Sequence, residues 1–227
     1  MDRYSLISTK LPREFVLLQG LGCRWGKCAF CDYHTDTGAD PYAINKPVLD
    51  QVTGCYGVLD IINSGSAPEL DPQTIEHIQR VVIEKRIHTL WFEAHYMYRQ
   101  ALIEFAALFP TARVKFRCGV ETFDTTLRNQ WKKGIPADVT PEDIAKHFQG
   151  VCLLCGTEGD TVGRIARDID IALGLFEYMS VNLFCDNTTP LKADPHFQEQ
   201  FIAELYPRIK ENPRIEILLR NTDLGVG

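Results

Sequence analysis

The sequence contains no run approaching the ~18 consecutive apolar residues that a membrane-spanning helix requires, although 45% of its 227 residues are hydrophobic. Its first residues, Met1-Asp2-Arg3-Tyr4-Ser5, do not form a basic segment leading into an apolar core, so no secretory leader is read there. A soluble, cytoplasmic protein is therefore expected, with no membrane partner. Cationic excess is also missing: 24 Lys and Arg face 30 Asp and Glu, a formal net charge of -6. A protein that grips tRNA or DNA needs a basic track against the phosphates, so a small-molecule ligand is favoured and nucleic acid is an unlikely partner. The basic run Arg128, Lys132 and Lys133 is read as a solvated helix face. Low-complexity tracts and linkers are missing too, and the length suits one sizeable core without a full accessory domain. A single domain over residues 1–227 is expected.

Short apolar runs recur about every thirty residues, at Phe15–Leu18, Val58–Ile62, His88–Phe92, Val114–Cys118, Val151–Cys155, Val181–Cys185 and Ile215–Leu219. Their β-branched and aromatic content is that of buried parallel strands. Helical periodicities lie between them: Ile75, Ile78 and Val82 within Pro72–Lys85, and Phe197, Phe201, Leu205 and Ile209 within Pro195–Lys210. Such a strand–helix alternation gives an α/β fold, either an open doubly wound sheet or a barrel. The stretch from Asp32 to Asp50, with Gly38, Pro41 and Pro47, reads as the longest irregular segment and as a lid.

Cysteine is concentrated where chemistry is expected. Cys23, Cys28 and Cys31 lie in Gly-Leu-Gly-Cys-Arg-Trp-Gly-Lys-Cys-Ala-Phe-Cys, directly after the first strand. Three thiolates within nine residues can hold one face of a cubane iron–sulfur cluster and leave one iron open to bind a small molecule. A zinc site with His34 as the fourth ligand is the competing reading. A disulfide with a spare thiol is disfavoured in a reducing compartment. Cys152 and Cys155, three apart on a strand, face opposite sides, and with Cys55, Cys118 and Cys185 they are read as buried, inert thiols.

This cysteine loop resembles the signature of the radical S-adenosylmethionine (radical SAM) superfamily, with Phe30 as the aromatic before the last cysteine and four residues instead of three in the first gap. The resemblance selects a partial (β/α)6 barrel, with a short C-terminal strand and tail, and implies a [4Fe–4S] cluster and SAM as cofactors. It implies that the reduced cluster cleaves SAM to a 5′-deoxyadenosyl radical that abstracts hydrogen from a substrate, with flavodoxin or ferredoxin as electron donor. In this family Asn63-Ser64-Gly65-Ser66 resembles the Gly-Gly-Glu-type segment that receives the methionine amino group. Gly119-Val120-Glu121-Thr122, followed by Trp131-Lys132-Lys133-Gly134, resembles the Gly-Val-Glu-Ser element, with Glu121 turned toward the cofactor. Val151–Cys155 with the Gly156-Thr157-Glu158 turn resembles the strand that supports the adenine. Phe30, Tyr33, Ser64, Gly65, Ser66, Glu121, Cys155 and Gly156 are thus the expected cofactor residues.

Polar residues at the remaining strand ends, Glu93, His95, Tyr96, Asn182, Asp186, Arg220 and Asp223, are the candidate substrate residues. The phrase from Leu18 to Asp36 and the small size are similar to the queuosine-salvage queuine lyases, which release queuine from queuosine or its 5′-phosphate. A radical SAM enzyme acting on tRNA or another metabolite, and a non-catalytic iron–sulfur sensor or electron carrier, are the alternatives. The cysteine loop makes one direct prediction. Anaerobic reconstitution should give protein with a broad ~400 nm absorbance, lost on replacing Cys23, Cys28 or Cys31 by Ala; one tightly held zinc with no capacity for iron would refute it.

Overall fold

The computed structural model describes residues 2–227. They form two compact units: residues 2–26, 33–117 and 224–227 make the first, and residues 27–32 and 118–223 the second. The first contains β1 (Tyr4–Ile7), β2 (Arg13–Leu18), α1 (Pro41–Leu49), β3 (Val58–Asn63), α2 (Pro72–Glu84), β4 (Thr89–Glu93), α3 (Leu102–Ala106) and most of β5 (Arg113–Glu121). The second takes the last residues of β5 and continues with α4 (Thr125–Gln130), α5 (Pro141–Ala145), β6 (Gly150–Cys155), α6 (Val162–Leu175), β7 (Tyr178–Leu183), α7 (Pro195–Gln200), α8 (Tyr206–Ile209) and β8 (Ile215–Leu218).

In the first unit the strand order is β1-β2-β3-β4-β5, antiparallel between β1 and β2 and parallel thereafter. In the second, β6, β7 and β8 pair in parallel order. The seven strands read from apolar runs are all present. β1 is an addition: Tyr4-Ser5-Leu6-Ile7 is a four-residue edge strand, too short and too polar to stand out by hydrophobicity.

The two faces of the first unit's sheet differ in chemistry. On one, Phe92 of β4 packs its ring on Phe105 of α3, on Phe109 and on Phe116, with centroids 5.2 to 6.2 Å apart. On the other, the register aligns Phe15, Asp60, Trp91 and Lys115 in one row. Asp60 is wholly buried there, and three N–H groups serve its carboxylate: Arg13 Nε at 2.7 Å and Arg117 Nη1 and Nη2 at 2.8 and 2.7 Å. Lys115 Nζ lies 5.1 Å from the centre of the Trp91 ring. A charged row inside a sheet is stable only because its charges compensate one another.

Three expectations are corrected. The segment 32–50 is not mainly irregular: α1 occupies its second half, because Pro41 stands at the first helical position, where its missing N–H costs nothing, and Asp40 caps by accepting from Ala43 N at 3.2 Å. The helix expected over 195–210 is interrupted by a widened π turn at Phe201–Leu205 between α7 and α8. Pro207 has no N–H to return to the carbonyl four residues back, so the regular ladder cannot run through; Phe197, Phe201, Leu205 and Ile209 are nonetheless all buried, as their spacing requires. Finally, Gly119-Val120-Glu121 does not follow a strand but ends β5, which closes where Glu121 turns to a left-handed φ of 67°.

Removing the carboxylate of Asp60 would take from two buried guanidinium groups the counter-charge they share. Asp60→Ala is expected to lower stability by about 3–5 kcal/mol in urea titration. A loss below ~1 kcal/mol would mean that water reaches and solvates both arginines.

Candidate active site

The cysteine loop leaves β2 through Gly20 and Gly22, the latter at φ 120°, and folds back at Gly26, φ 54°. Cys23, Cys28 and Cys31 are partly exposed, and all eight cysteines are thiols rather than disulfides. Gly26 N donates to Cys23 Sγ at 3.4 Å, the kind of backbone donor that stabilises a metal-bound thiolate. Among the described residues no three His, Cys, Asp or Glu side chains gather tightly enough to chelate a single ion. Three thiols on one short loop are the soft donor type that iron–sulfur clusters take.

In the first unit, the turn after β3 is built against this loop. Ser64 Oγ accepts from Gly20 N at 2.7 Å. At Gly65 an added Cβ would lie 2.4 Å from Glu69 Oε2, 3.0 Å from the Gly22 carbonyl and 3.5 Å from Cys23 Cα, so only glycine lets the two backbones approach this closely. Ser66 Oγ accepts from His95 N at 3.0 Å, which ties the turn to the segment following β4. Asn63 ends β3 with a buried Oδ1 that has no protein donor. The structure therefore brings together Cys23, Ser64, Gly65, Ser66, His95 and, next in the chain, buried Tyr96.

His95 is 8% exposed, stacked on Trp25 with centroids 5.5 Å apart and rings 16° from parallel. Met97 N donates to its Nδ1 at 3.1 Å, which makes Nδ1 the acceptor and leaves the ring proton on Nε2. The Tyr96 ring carries the Arg99 guanidinium at 4.7 Å. Glu93, partly buried, is the last residue of β4. Tyr33 is 55% exposed and opens a short turn after the cysteines.

In the second unit, Glu121 accepts from Lys133 Nζ at 2.8 Å, and both side chains are about nine-tenths buried. Burial alone would lower the pKa of the Lys133 amine; the Glu121 charge and hydrogen bond, with a further contribution from Cys28, outweigh it and hold the amine protonated. The same ammonium lies 5.6 Å from the centre of the Phe30 ring. Phe30 meets Trp131 edge-on at 5.9 Å, and its carbonyl accepts from Asn187 Nδ2 at 2.7 Å. The basic run is thus not a solvated face: Arg128 and Lys133 are buried and only Lys132 is exposed, because each buried cation finds acceptors, Arg128 on the Pro136 carbonyl and Lys133 on Glu121.

Cys155 is buried at the end of β6, with its Sγ 3.7 Å from the Asn182 carbonyl, and burial raises its pKa. Cys118 and Cys152 are buried as expected, whereas Cys55 is exposed and Cys185 partly exposed, since both lie in turns outside the strands. Gly156, at φ 86°, leaves room for Phe197, which an added Cβ would approach to 3.2 Å. Its N–H bonds Asp160 Oδ2 at 2.9 Å, and Asp160 also accepts from buried Arg164. Asn182 in β7 carries a buried Oδ1 with no protein donor. The other predicted polar residues hold their own turns. Asp186 accepts from Ala193 N at 2.8 Å, while Asp223 accepts from Leu219 N and Arg220 N at 2.7 and 2.9 Å on the surface.

Comparison with solved structures shows a queuine lyase from Clostridium spiroforme bound to SAM and queuine, 40% identical, with a TM-score of 0.94 over 100% of this chain and 99% of that one. The chain belongs to the queuine lyase family of radical SAM enzymes. Its fold class is the α/β partial barrel expected for that superfamily. Streptococcus suis SuiB, at 14% identity and a TM-score of 0.55, shares the fold over 92% of this chain and 50% of its own. No protein-family model matches the sequence, and a search of curated proteins finds no match.

Sequence reasoning missed Glu69, the buried Oδ1 of Asn63 and the pairing of Lys133. For the last, a signal existed in the Glu121 and Lys133 that flank α4, which a strand-end carboxylate and a post-helix lysine can bring together. A double-mutant cycle tests that pair. Lys133→Met is expected to cost about 3–5 kcal/mol by removing the counter-charge of the buried Glu121 carboxylate, and adding Glu121→Gln should restore part of the loss. Additive losses would show the two groups to be independent.

Proposed function

We propose that the chain holds a [4Fe–4S] cluster on Cys23, Cys28 and Cys31, binds SAM, and releases queuine from a queuosine-type nucleoside or nucleotide. The observation that carries this reading is the 40% identity, over the whole chain, to a queuine lyase bound to SAM and queuine. That coverage also supports treating residues 1–227 as one core domain. The bound cofactors supply a 5′-deoxyadenosyl radical, with the electron delivered by a flavodoxin or ferredoxin.

The residues of this chain then bind and orient. The Ser64-Gly65-Ser66 backbone and the unpartnered Asn63 Oδ1 suit the methionine end of SAM, which brings an ammonium donor. Phe30 offers an aromatic wall, with Tyr33 beside the loop, and Glu121 is held in place by its ion pair with Lys133. Cys155 and Gly156 give the adenine a narrow, apolar support, since anything larger than glycine would press on Phe197. For the substrate, an aminomethyl-cyclopentenediol arm on a fused-ring base asks for a carboxylate, hydroxyl partners and an amide. In the first unit Glu93, Tyr96 and the Nε2–H of His95 offer such groups; in the second Asn182 offers an amide, and Asp186, Arg220 and Asp223 lie in the outer turns. His95 and Tyr96 are both largely buried, which suits a site that excludes water.

A net charge of -6 supports a free nucleoside or nucleotide over tRNA. No helix among the described residues is long and apolar enough to cross a membrane. The test is anaerobic turnover with reductant and SAM over queuosine, its 5′-phosphate, unmodified nucleosides and queuosine-containing tRNA. Queuine should appear with matching 5′-deoxyadenosine from queuosine or its phosphate. SAM cleavage that none of these stimulates would sink the lyase, release from tRNA alone would move the substrate to the polynucleotide, and an intact cluster that never cleaves SAM would favour the sensor.

A further inference from the structure

Four residues, Arg24-Trp25-Gly26-Lys27, instead of three separate Cys23 from Cys28, and two of them make contacts that fix the gap. Glu69, in the Ala67–Glu69 turn before α2, spreads its carboxylate over three segments of the first unit. Its Oε1 accepts from Arg24 N, inside the cysteine gap, at 2.8 Å and from Tyr98 OH, after β4, at 2.7 Å. Its Oε2 accepts from Ser66 N, in the turn after β3, at 2.6 Å, and faces the space a Gly65 Cβ would fill. On the other side of the gap, Trp25 lies flat on His95, whose backbone N–H returns to Ser66 Oγ.

We propose that Glu69 is a positioning residue that locks the long cysteine gap to the SAM cradle, so that Cys23 and the Ser64-Gly65-Ser66 backbone keep one spacing. This rests on the cofactor reading above but not on the identity of the substrate. Two N–H donors and a hydroxyl converge on one side chain, and all three bonds are charge-assisted. A glutamine there presents one carbonyl oxygen and one amide NH2, so it cannot accept from both sides; its NH2 must face a donor, and one segment is released. Tyr98 supports the assignment, because burial and its bond to Glu69 push its pKa up to about 12, keeping the phenol protonated as a donor.

The experiment uses reconstituted protein and SAM itself, read by SAM affinity and by the change SAM causes in the EPR spectrum of the reduced cluster. Glu69→Gln is expected to keep its iron content, to bind SAM about 10-fold or more weakly, and to show a diminished spectral response, as lost outer contacts to a metal site commonly do. Amide exchange should rise at Arg24 and Ser66. Tyr98→Phe removes one donor while leaving the carboxylate, and should weaken SAM binding about 3- to 10-fold without loss of fold; in the double variant the effects should fall short of additive. If the wild-type cluster responds to SAM and both variants bind it within about 2-fold of wild type, with unchanged spectra, the inference is overturned alone. A wild-type cluster indifferent to SAM overturns the cofactor reading and this inference with it.

Discussion

Asp60 is the residue on which the first unit is organised. Its carboxylate sits on the face of the sheet away from α3, where burial without compensation would be prohibitive, and the guanidinium groups of Arg13 and Arg117 reach it from β2 and β5. Those contacts are possible only with one register across β2, β3, β4 and β5, since a slip by a single residue would turn Asp60 to the apolar side. Register in turn decides where strands end. Leu18 pairs with Asn63, so the cysteine loop and the Ser64-Gly65-Ser66 turn leave the sheet at the same level and meet.

The second unit solves a related problem by different means. Glu121 closes β5 in a left-handed conformation that costs a non-glycine residue of order 1–3 kcal/mol and is found mainly at functional positions. Lys133, twelve residues on, offsets the burial of the carboxylate and brings an ammonium over Phe30. Arg164 does the equivalent for the turn after β6, reaching Asp160, Asp168 and the Leu154 carbonyl together. In both places a charged pair specifies backbone geometry at a strand end, which apolar packing, being non-directional, does less well.

Much of this was legible in the sequence, and the reason is local. Buried parallel strands are short, apolar and β-branched whatever surrounds them, so β2 to β8 announce themselves. The cysteine loop is equally plain, because its three cysteines lie within nine residues. What stayed hidden depends on partners far along the chain. Lys133 reads as solvated until Glu121 is placed beside it, and Asp60 looks misplaced in a strand until two arginines arrive from 47 and 57 residues away. α1 was obscured by Pro41 and Pro47, which read as breakers although one of them suits the first helical turn. The candidate substrate residues fall between: His95 and Tyr96 are buried, but Asp223 satisfies its carboxylate within its own turn, a role that strand-end position alone cannot reveal.

The longer cysteine gap shows how a departure from a signature is accommodated. An extra residue in a ligand loop adds conformational freedom, and an untethered loop would hold Cys23 less well against the turn after β3. Here the added length carries two contacts of opposite character, the polar bond of Arg24 N to Glu69 and the flat stacking of Trp25 on His95. Both end on segments that Ser66 also joins, through its N–H to Glu69 and its hydroxyl from His95. Trp25 in that gap thus lies flat against a histidine whose tautomer is already fixed. A signature read only by spacing would count this as an imperfection, whereas the bonds show the loop and its cradle to be a single hydrogen-bonded set.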